Sequence, residues 1–318
     1  MFASLRFQLA IVYALSAVIG CAQSDQPPSQ THKSENHLPR IVVTSQPLLQ
    51  MTHAIVGEAA DVVLVVPDDI SSRDWSPAAD DAGIMQQARL ILISGAGYEP
   101  WKDRVSLPGS RLRDTAAGYY DQLIRIPDAV THQHGPDGPH SHPGTVWSTW
   151  LDPELCAAQL HQVSIHCSRL IPEQKTSIEA AEARLSAELN SLNAMIDSIK
   201  AATGDPGLVV YSDTPHYQYL TRRLDWTLRY LHWNSDTLSD ANRKELFDAF
   251  GTELKTSQHS RRIFLLDSRH SADTEDFVRK SGGTVVRIDL CETTTPESAS
   301  FLDRLKQNLQ RIREVMEE

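Results

Sequence analysis

Four histidines stand close together near the middle of the chain, in two His-x-His pairs. The pairs are His132/His134 and His140/His142, and residues 135–139 between them are Gly, Pro, Asp, Gly and Pro. Glycine and proline at this density exclude a long helix or a central strand, so we expect a surface loop. Neutral imidazole is the commonest protein ligand for zinc and similar ions, and short His-rich segments commonly bind metal. The spacing therefore predicts that these four side chains contact a divalent cation.

The composition limits the classes of protein to consider. The chain has 318 residues with a formal net charge of −11, and 41% of its residues are hydrophobic. This length suggests about two domains, each large enough to bury a core. The acidic balance argues against nucleic-acid binding, which needs clustered Lys and Arg. No Cys-x-x-C pair is present, so neither a zinc ribbon nor a redox motif is expected.

The N-terminus has the build of a secretory signal. Arg6 precedes an apolar run at residues 9–20, which is too short to span a bilayer and ends directly before Cys21. The segment Val18-Ile19-Gly20-Cys21 resembles the bacterial lipobox, in which signal cleavage leaves a lipidated cysteine at the new N-terminus. We therefore expect a lipoprotein signal peptide at 1–20 and lipidation of Cys21.

A polar segment that contains prolines follows the signal. Residues 23–37 have the composition of a flexible tether, so we assign 21–39 to a linker. The expected location is outside the cytoplasm, in the cell envelope or periplasm, with the folded part held to the membrane by the lipid.

The folded part alternates strands with helices. Such alternation predicts a parallel sheet whose ligands gather at the carboxyl ends of the strands. In the first half the predicted strands are residues 41–44, 62–66, 90–93 and 123–126, and the predicted helices are 47–58, 77–87 and 153–170.

A long helix then separates two halves of similar design. Apolar residues recur every three or four positions between Glu173 and about Ala202, which predicts a rigid strut of roughly 45 Å. In the second half the predicted strands are 208–211, 228–231, 263–266 and 285–288, and the predicted helices are 217–223, 238–256 and 297–318. The fold class is therefore α/β. The N-terminal lobe (40–171) includes the His-rich loop 131–144, the helix (172–203) joins the lobes, and the C-terminal lobe is 204–318.

This layout resembles the solute-binding lipoproteins of zinc and manganese ABC importers. The likeness covers nearly all of the chain after Ile41 and rests on four short motifs in addition to the loop. They are Pro47-Leu48, Val65-Val66-Pro67, residues 95–101 (Gly-Ala-Gly-Tyr-Glu-Pro-Trp) and residues 150–153 (Trp-Leu-Asp-Pro). The resemblance implies a monomeric binding protein, not an enzyme, which holds an ion between its lobes and delivers it to a membrane permease. Zinc is expected because the loop is rich in His, with manganese as the alternative.

The chain departs from the family at the positions where the resemblance implies ligands. Arg73 stands where a His is usual after the second strand, and arginine cannot ligate a cation because it stays protonated. Ser148 and Ser212 occupy two further His positions. Asp289, after the strand 285–288, best matches the remaining carboxylate.

Two arrangements of the cleft stay open. In the first, the ion uses other groups at the same strand ends, with His216 as first choice beside Asp289. Further candidates are Asp213, His232, Asp267 and His270, since each follows a predicted strand of the second lobe. In the second, the cleft holds no metal, and the His-rich loop is the only contact with the ion.

Two other functions compete with metal import. One is a surface lipoprotein of the same fold that buffers metal or acts in adhesion without transport. The other is a metal-dependent hydrolase, which needs an open metal position and a general base. The sequence has no His-Glu-x-x-His, no Gly-x-Ser-x-Gly and no phosphate-binding glycine motif, which disfavours the hydrolase.

Overall fold

Two parallel four-stranded sheets form the framework of the molecule. The structure is a computed structural model that describes residues 38–126, 131–133, 139–141, 144–203, 208–231, 233, 238–256, 261–294 and 299–317. The first sheet has the order β2-β1-β3-β4 and the second the order β10-β9-β7-β8, with every pairing parallel. In the N-terminal lobe the strands are β1 (Arg40–Val43), β2 (Asp61–Leu64), β3 (Leu90–Ile93) and β4 (Leu112–Asp114), and in the C-terminal lobe they are β7 (Val209–Ser212), β8 (Leu228–Tyr230), β9 (Arg262–Asp267) and β10 (Thr284–Ile288). A small antiparallel pair, β5 (Thr131–Gln133) and β6 (Pro139–Ser141), lies in the His-rich loop.

Eight α-helices are present in the described part of the chain. They are α1 (Gln46–Val56), α2 (Ala79–Gln87), α3 (Pro153–Leu170), α4 (Lys175–Ala202), α5 (Gln218–Arg223), α6 (Asp240–Thr256), α7 (Ala272–Lys280) and α8 (Phe301–Glu317). None of these helices combines the length and the hydropathy that a bilayer crossing needs. Residues Leu38–Glu318 form one compact unit, whereas Met1–His37, which include Cys21, lie outside the described residues.

The long helix α4 packs against both lobes. Its apolar stripe is buried, with Ile178, Leu189, Leu192, Ile196 and Ile199 all at most 3% exposed. They share one hydrophobic cluster with residues of both sheets and of α1, α3 and α8. Each such side chain contributes about 2 kcal/mol through its burial. The predicted α/β fold with two sheets and one long connecting helix is confirmed, while the domain limits 40–171, 172–203 and 204–318 stay predictions.

The fourth strand of the first sheet was predicted at the wrong place. Residues 112–114 form β4, whereas residues 123–126 make only an antiparallel bridge, in which Arg125 pairs with Thr145. The apolar run of 123–126 suggested a sheet strand, yet Ile124 and Ile126 instead pack in a small cluster with Tyr119, Val146 and Tyr219. Periodicity alone cannot separate these two uses of an apolar run.

Candidate metal site between the lobes

The cleft is built from the segments that follow the carboxyl ends of the strands. From the N-terminal lobe come the loop after β2 and the residues that precede α3. From the C-terminal lobe come the segments after β7, β9 and β10. Contacts between these segments join the two lobes directly, because the indole nitrogen of Trp150 donates to the carbonyl of Leu290 at 2.9 Å. The cleft is therefore the place where polar side chains from both lobes meet.

Glu292 lies at the centre of this polar contact. It receives hydrogen bonds on one oxygen from the hydroxyls of Ser71 and Tyr98, the latter at 3.2 Å. Its other oxygen lies 3.4 Å from the guanidinium of Arg269. Burial raises the pKa of Glu292 to about 7, while the charges of Arg269 and Arg73 and the bond from Ser71 act in the opposite direction. Glu292 is thus a buried carboxyl group with partners on both oxygens.

Arg73 occupies the position where the family resemblance implied a histidine ligand. Its guanidinium lies 5.7 Å from the centre of the Trp147 ring, within the range of a cation–π contact. Burial lowers the pKa of Arg73, and the negative charge of Glu292 counteracts that effect. The cleft therefore contains a permanent cation of its own.

His216 lies in the cleft and packs against Trp147 with a ring separation of 4.4 Å. Burial lowers the pKa of His216 well below its ordinary value, and the charges of Arg73 and Arg269 lower it further. The imidazole is therefore neutral, as a metal ligand must be. Its Nδ1 is buried and has no hydrogen-bond partner among the residues that the structure describes. Ser148, another expected ligand position, donates its hydroxyl to the His216 carbonyl.

The other described candidates of the second lobe, Asp213, Asp267 and His270, already have polar partners. His270 Nε2 lies 2.8 Å from Asp213, and both side chains are buried. Asp267 binds Arg269 through two oxygens, with the shortest distance 2.7 Å. Burial raises the pKa of Asp213, and the bond from His270 lowers it. These groups already have partners and are not arranged around a common point.

Asp289 lies against α8. Its two oxygens bind Arg304 at 2.7 and 2.6 Å, and its backbone is bonded to the side chain of Asn308. The structure therefore does not bring His216 and Asp289 together as ligands of one ion. In the part of the chain that the structure describes, no group of three or more His, Cys, Asp or Glu side chains could hold a metal ion. Metal binding by His216 and Asp289 stays a prediction.

The His-rich loop is described through its backbone only in part. His132 in β5 is paired with His140 in β6, so the first half of the loop folds back on the second. His134, His142 and His232 lie outside the described residues. The base of the loop is closed by hydrogen bonds from Ile126 to Gly144 at 2.8 Å and from Val146 to Ile124 at 2.9 Å.

Sequence reasoning missed Glu292, Arg269 and Tyr98. A signal was present for two of them, because Arg269 and Glu292 follow β9 and β10 at the edge where ligands of a parallel sheet gather. Arginine cannot ligate a cation, and Asp289 already matched the expected carboxylate position, so neither Arg269 nor Glu292 stood out as a ligand. The contact between Arg269 and Glu292 is visible only in the fold.

Comparison with known proteins decides the family. The family model described as zinc-uptake complex component A, periplasmic (ZnuA), matches residues 41–315. The chain belongs to the ZnuA family. This membership confirms the resemblance to metal solute-binding proteins, and it also confirms the expectation of a binding protein that is not an enzyme.

Relatives of the ZnuA family align along almost the whole chain. A putative metal-binding protein of Treponema pallidum is 24% identical over an alignment of 325 positions, which covers 95% of this chain and 95% of that protein. The structure of FpvC from Pseudomonas aeruginosa in complex with Mn²⁺ has a TM-score of 0.70 at 17% identity, covering 88% of this chain and 99% of that one. The structure of the Zn(II)-bound ZnuA-like domain of AdcA from Streptococcus pneumoniae has a TM-score of 0.70 at 15% identity. The match covers 88% of this chain and 99% of that one. At this identity the two structures show a shared fold.

Proposed function

We propose that this chain is the solute-binding component of an ABC import system for a divalent metal ion. Zinc is the ion of first choice and manganese the second. The observation that carries the proposal is the ZnuA family match over residues 41–315, which includes both lobes and the connecting helix. Structures of this fold with Mn²⁺ or Zn(II) bound support a divalent cation as the cargo.

We assign the contact with the ion to the His-rich loop, through His132, His134, His140 and His142. Four imidazoles match the ligand type and number that a tetrahedral zinc site needs. The rest of the described cleft favours this assignment, because its carboxylates are bound to arginine, histidine or hydroxyl partners.

The base of the loop lies beside the cleft. Ile124 donates its backbone N–H to the hydroxyl of Tyr219 in the C-terminal lobe at 3.0 Å. On the other side of the base of the loop, Val146 is followed in the chain by Trp147, and the Trp147 ring contacts His216. The Nδ1 of His216, which is buried and has no hydrogen-bond partner among the described residues, is the group of the cleft that we expect to join ligands from the loop. Asp289 is left out of this proposal because both its oxygens bind Arg304.

Isothermal titration of metal-stripped protein with Zn²⁺ and with Mn²⁺ tests the proposal. The test variant replaces the four loop histidines by asparagine, which removes the imidazole ligands and keeps the loop polar. We expect zinc affinity to fall at least about 100-fold, or roughly 3 kcal/mol. The matched control replaces four other histidines, His32, His37, His53 and His161, and is expected to bind zinc like the wild type. If the wild type binds neither ion more tightly than millimolar, the proposal fails.

The location of the protein is part of the proposal. The family description names a periplasmic component, and Cys21 stands where a lipoprotein signal would place the lipidated residue. We therefore expect the chain outside the cytoplasmic membrane, anchored through Cys21 and next to its permease. Metabolic labelling with a fatty acid checks the anchor: label is expected on the wild type and absent from Cys21→Ser. Cross-linking in native membranes should capture an ABC permease.

A further inference from the structure

Glu292 belongs to the C-terminal lobe, but two of its three hydrogen-bond donors belong to the N-terminal lobe. Ser71 and Tyr98 donate to the same carboxylate oxygen, and Arg269 of its own lobe lies near the other. The three side chains that meet across the cleft, Ser71, Tyr98 and Glu292, are all buried. A hydrogen bond to a carboxylate is stronger than one between neutral groups, and burial increases that difference.

The contact is tightly packed and is reinforced on both sides. The space enclosed by Thr44, Ser72, Tyr98 and Glu292 is too small for a water molecule. Two residues after Glu292, the backbone N–H of Thr294 donates to the carbonyl of Asp68 at 3.1 Å. Two residues before it, the carbonyl of Leu290 accepts from Trp150 at 2.9 Å. The segment 290–294 is therefore bonded to the N-terminal lobe at three successive points.

The charges around Glu292 are balanced by the protein itself. Arg73 from the N-terminal lobe and Arg269 from the C-terminal lobe both attract it. A divalent cation that entered here would be repelled by two guanidinium groups and would have to displace Arg269 from its carboxylate partners Asp267 and Glu292. Both repulsion and the loss of these pairs disfavour its entry.

We propose that Glu292, through its hydrogen bonds from Ser71 and Tyr98, holds the two lobes together in the absence of cargo. It takes the place of a bridging ion, and the guanidinium of Arg269, 3.4 Å away, is the positive charge beside it. This Glu292 latch goes beyond the proposed function, because it concerns how the lobes are held and does not require metal at the loop. In this chain the lobes stay together whether or not an ion is bound, and the closed space around the Glu292 carboxylate excludes divalent cations.

Distance measurement between spin labels on the two lobes tests the latch. The labels are attached at Asp103→Cys in the N-terminal lobe and Lys280→Cys in the C-terminal lobe, which are both exposed positions. The background carries Cys21→Ser, and the buried cysteines Cys156, Cys167 and Cys291 are not accessible to the label. Distances are recorded by double electron–electron resonance with chelator and with added Zn²⁺.

The wild type is expected to give one narrow distance distribution that zinc does not change. Glu292→Ala is expected to give a broader distribution shifted to longer distance, because the hydrogen bonds from Ser71 and Tyr98 to Glu292 across the cleft are lost. Glu275→Ala is the matched control, since Glu275 forms its ion pairs with Arg279 and Arg287 inside the C-terminal lobe. It should keep the wild-type distribution.

The double variant Ser71→Ala/Tyr98→Phe removes the two N-terminal donors and leaves Glu292 paired with Arg269. It should open the lobes in the same direction, and it decides the question if Glu292→Ala does not fold. The latch is overturned if the folded variants keep the wild-type distances, or if zinc alone shortens the wild-type distance. If the loop does not bind zinc, the proposed function fails, but the distances between the lobes stay as the latch predicts. The latch and the proposed function can therefore be refuted independently.

Discussion

Asp289 and Arg304 form a two-point ion pair between the end of β10 and α8. Arg304 Nε lies 2.7 Å from one carboxylate oxygen and Nη2 lies 2.6 Å from the other. Arg304 is only 4% exposed, and it also donates to the carbonyl of Thr293. The carboxylate that the family resemblance suggested as a ligand therefore fixes a helix to a sheet.

Replacing Asp289 by alanine should destabilise the protein strongly. The change leaves the guanidinium of Arg304 buried without its carboxylate, and removal of one partner of a buried pair costs about 3–5 kcal/mol. Urea denaturation measures the free energy of unfolding. Asp103→Ala, at an exposed position, is the control and should stay within about 0.5 kcal/mol of the wild type. A variant of normal stability that lost zinc affinity would instead make Asp289 a ligand.

The titration of Glu292 should make stability depend on pH. Its pKa rises from 4.5 to about 7 on folding, with burial as the main cause, so the folded state retains a proton that the unfolded state has lost. The charged or titratable groups around it are Arg73, Arg269, Asp267 and Tyr98. Because the folded pKa is raised, this contribution to stability is fully present below pH 4.5 and is lost as pH rises to about 7.

Comparison with Glu292→Gln isolates this contribution, since other carboxyl groups titrate equally in both proteins. The quantity to follow is the difference in the free energy of unfolding, wild type minus variant. This difference should fall by about 3 kcal/mol between pH 4.5 and pH 7 and should not change further at higher pH. Denaturant titrations at half-unit pH intervals provide the measurement. A flat difference across this window would show that Glu292 has an ordinary pKa in the folded protein.

His270 should matter for stability through Asp213. His270→Ala leaves the buried Asp213 carboxylate without its 2.8 Å partner, and we expect a loss of about 3 kcal/mol. Thermal and urea denaturation measure the effect. The control is His53→Ala, an exposed residue of α1, which should change stability little. If both variants unfold alike, the Asp213–His270 pair does not stabilise the fold.

The three cysteines of the described part should be unreactive in the native protein. Cys156, Cys167 and Cys291 are free and buried. Burial raises the pKa of Cys167 to about 12 and raises those of Cys156 and Cys291 as well, so the reactive thiolate is scarce. In the Cys21→Ser background, a chromogenic disulfide reagent should modify none of them until denaturant is added. The control Asp103→Cys places a thiol at an exposed site and should react at once. If any of the three buried cysteines also reacts rapidly in the native protein, the prediction is wrong.

Local sequence patterns predicted most of the elements. Apolar spacing located α4 within two residues of its start, and it located the four strands of the second sheet to within one residue at each end. The same rule failed at residues 123–126, where an apolar run packs in a loop cluster while the less apolar 112–114 completes the sheet. Strand pairing depends on contacts distant in sequence, so no local window contains it.

The sequence by itself determined the two lobes, the connecting helix, the His-rich segment and membership of the ZnuA family, because periodicity and motif spacing are properties of neighbouring residues. The tertiary structure decided which charged side chains meet. Ser71 and Glu292 are 221 positions apart, and Asp289 and Glu292, three residues from each other, point to different partners. Folding brings strand ends together and turns each side chain toward one neighbour. For this reason only the folded chain shows a cleft closed by its own charges.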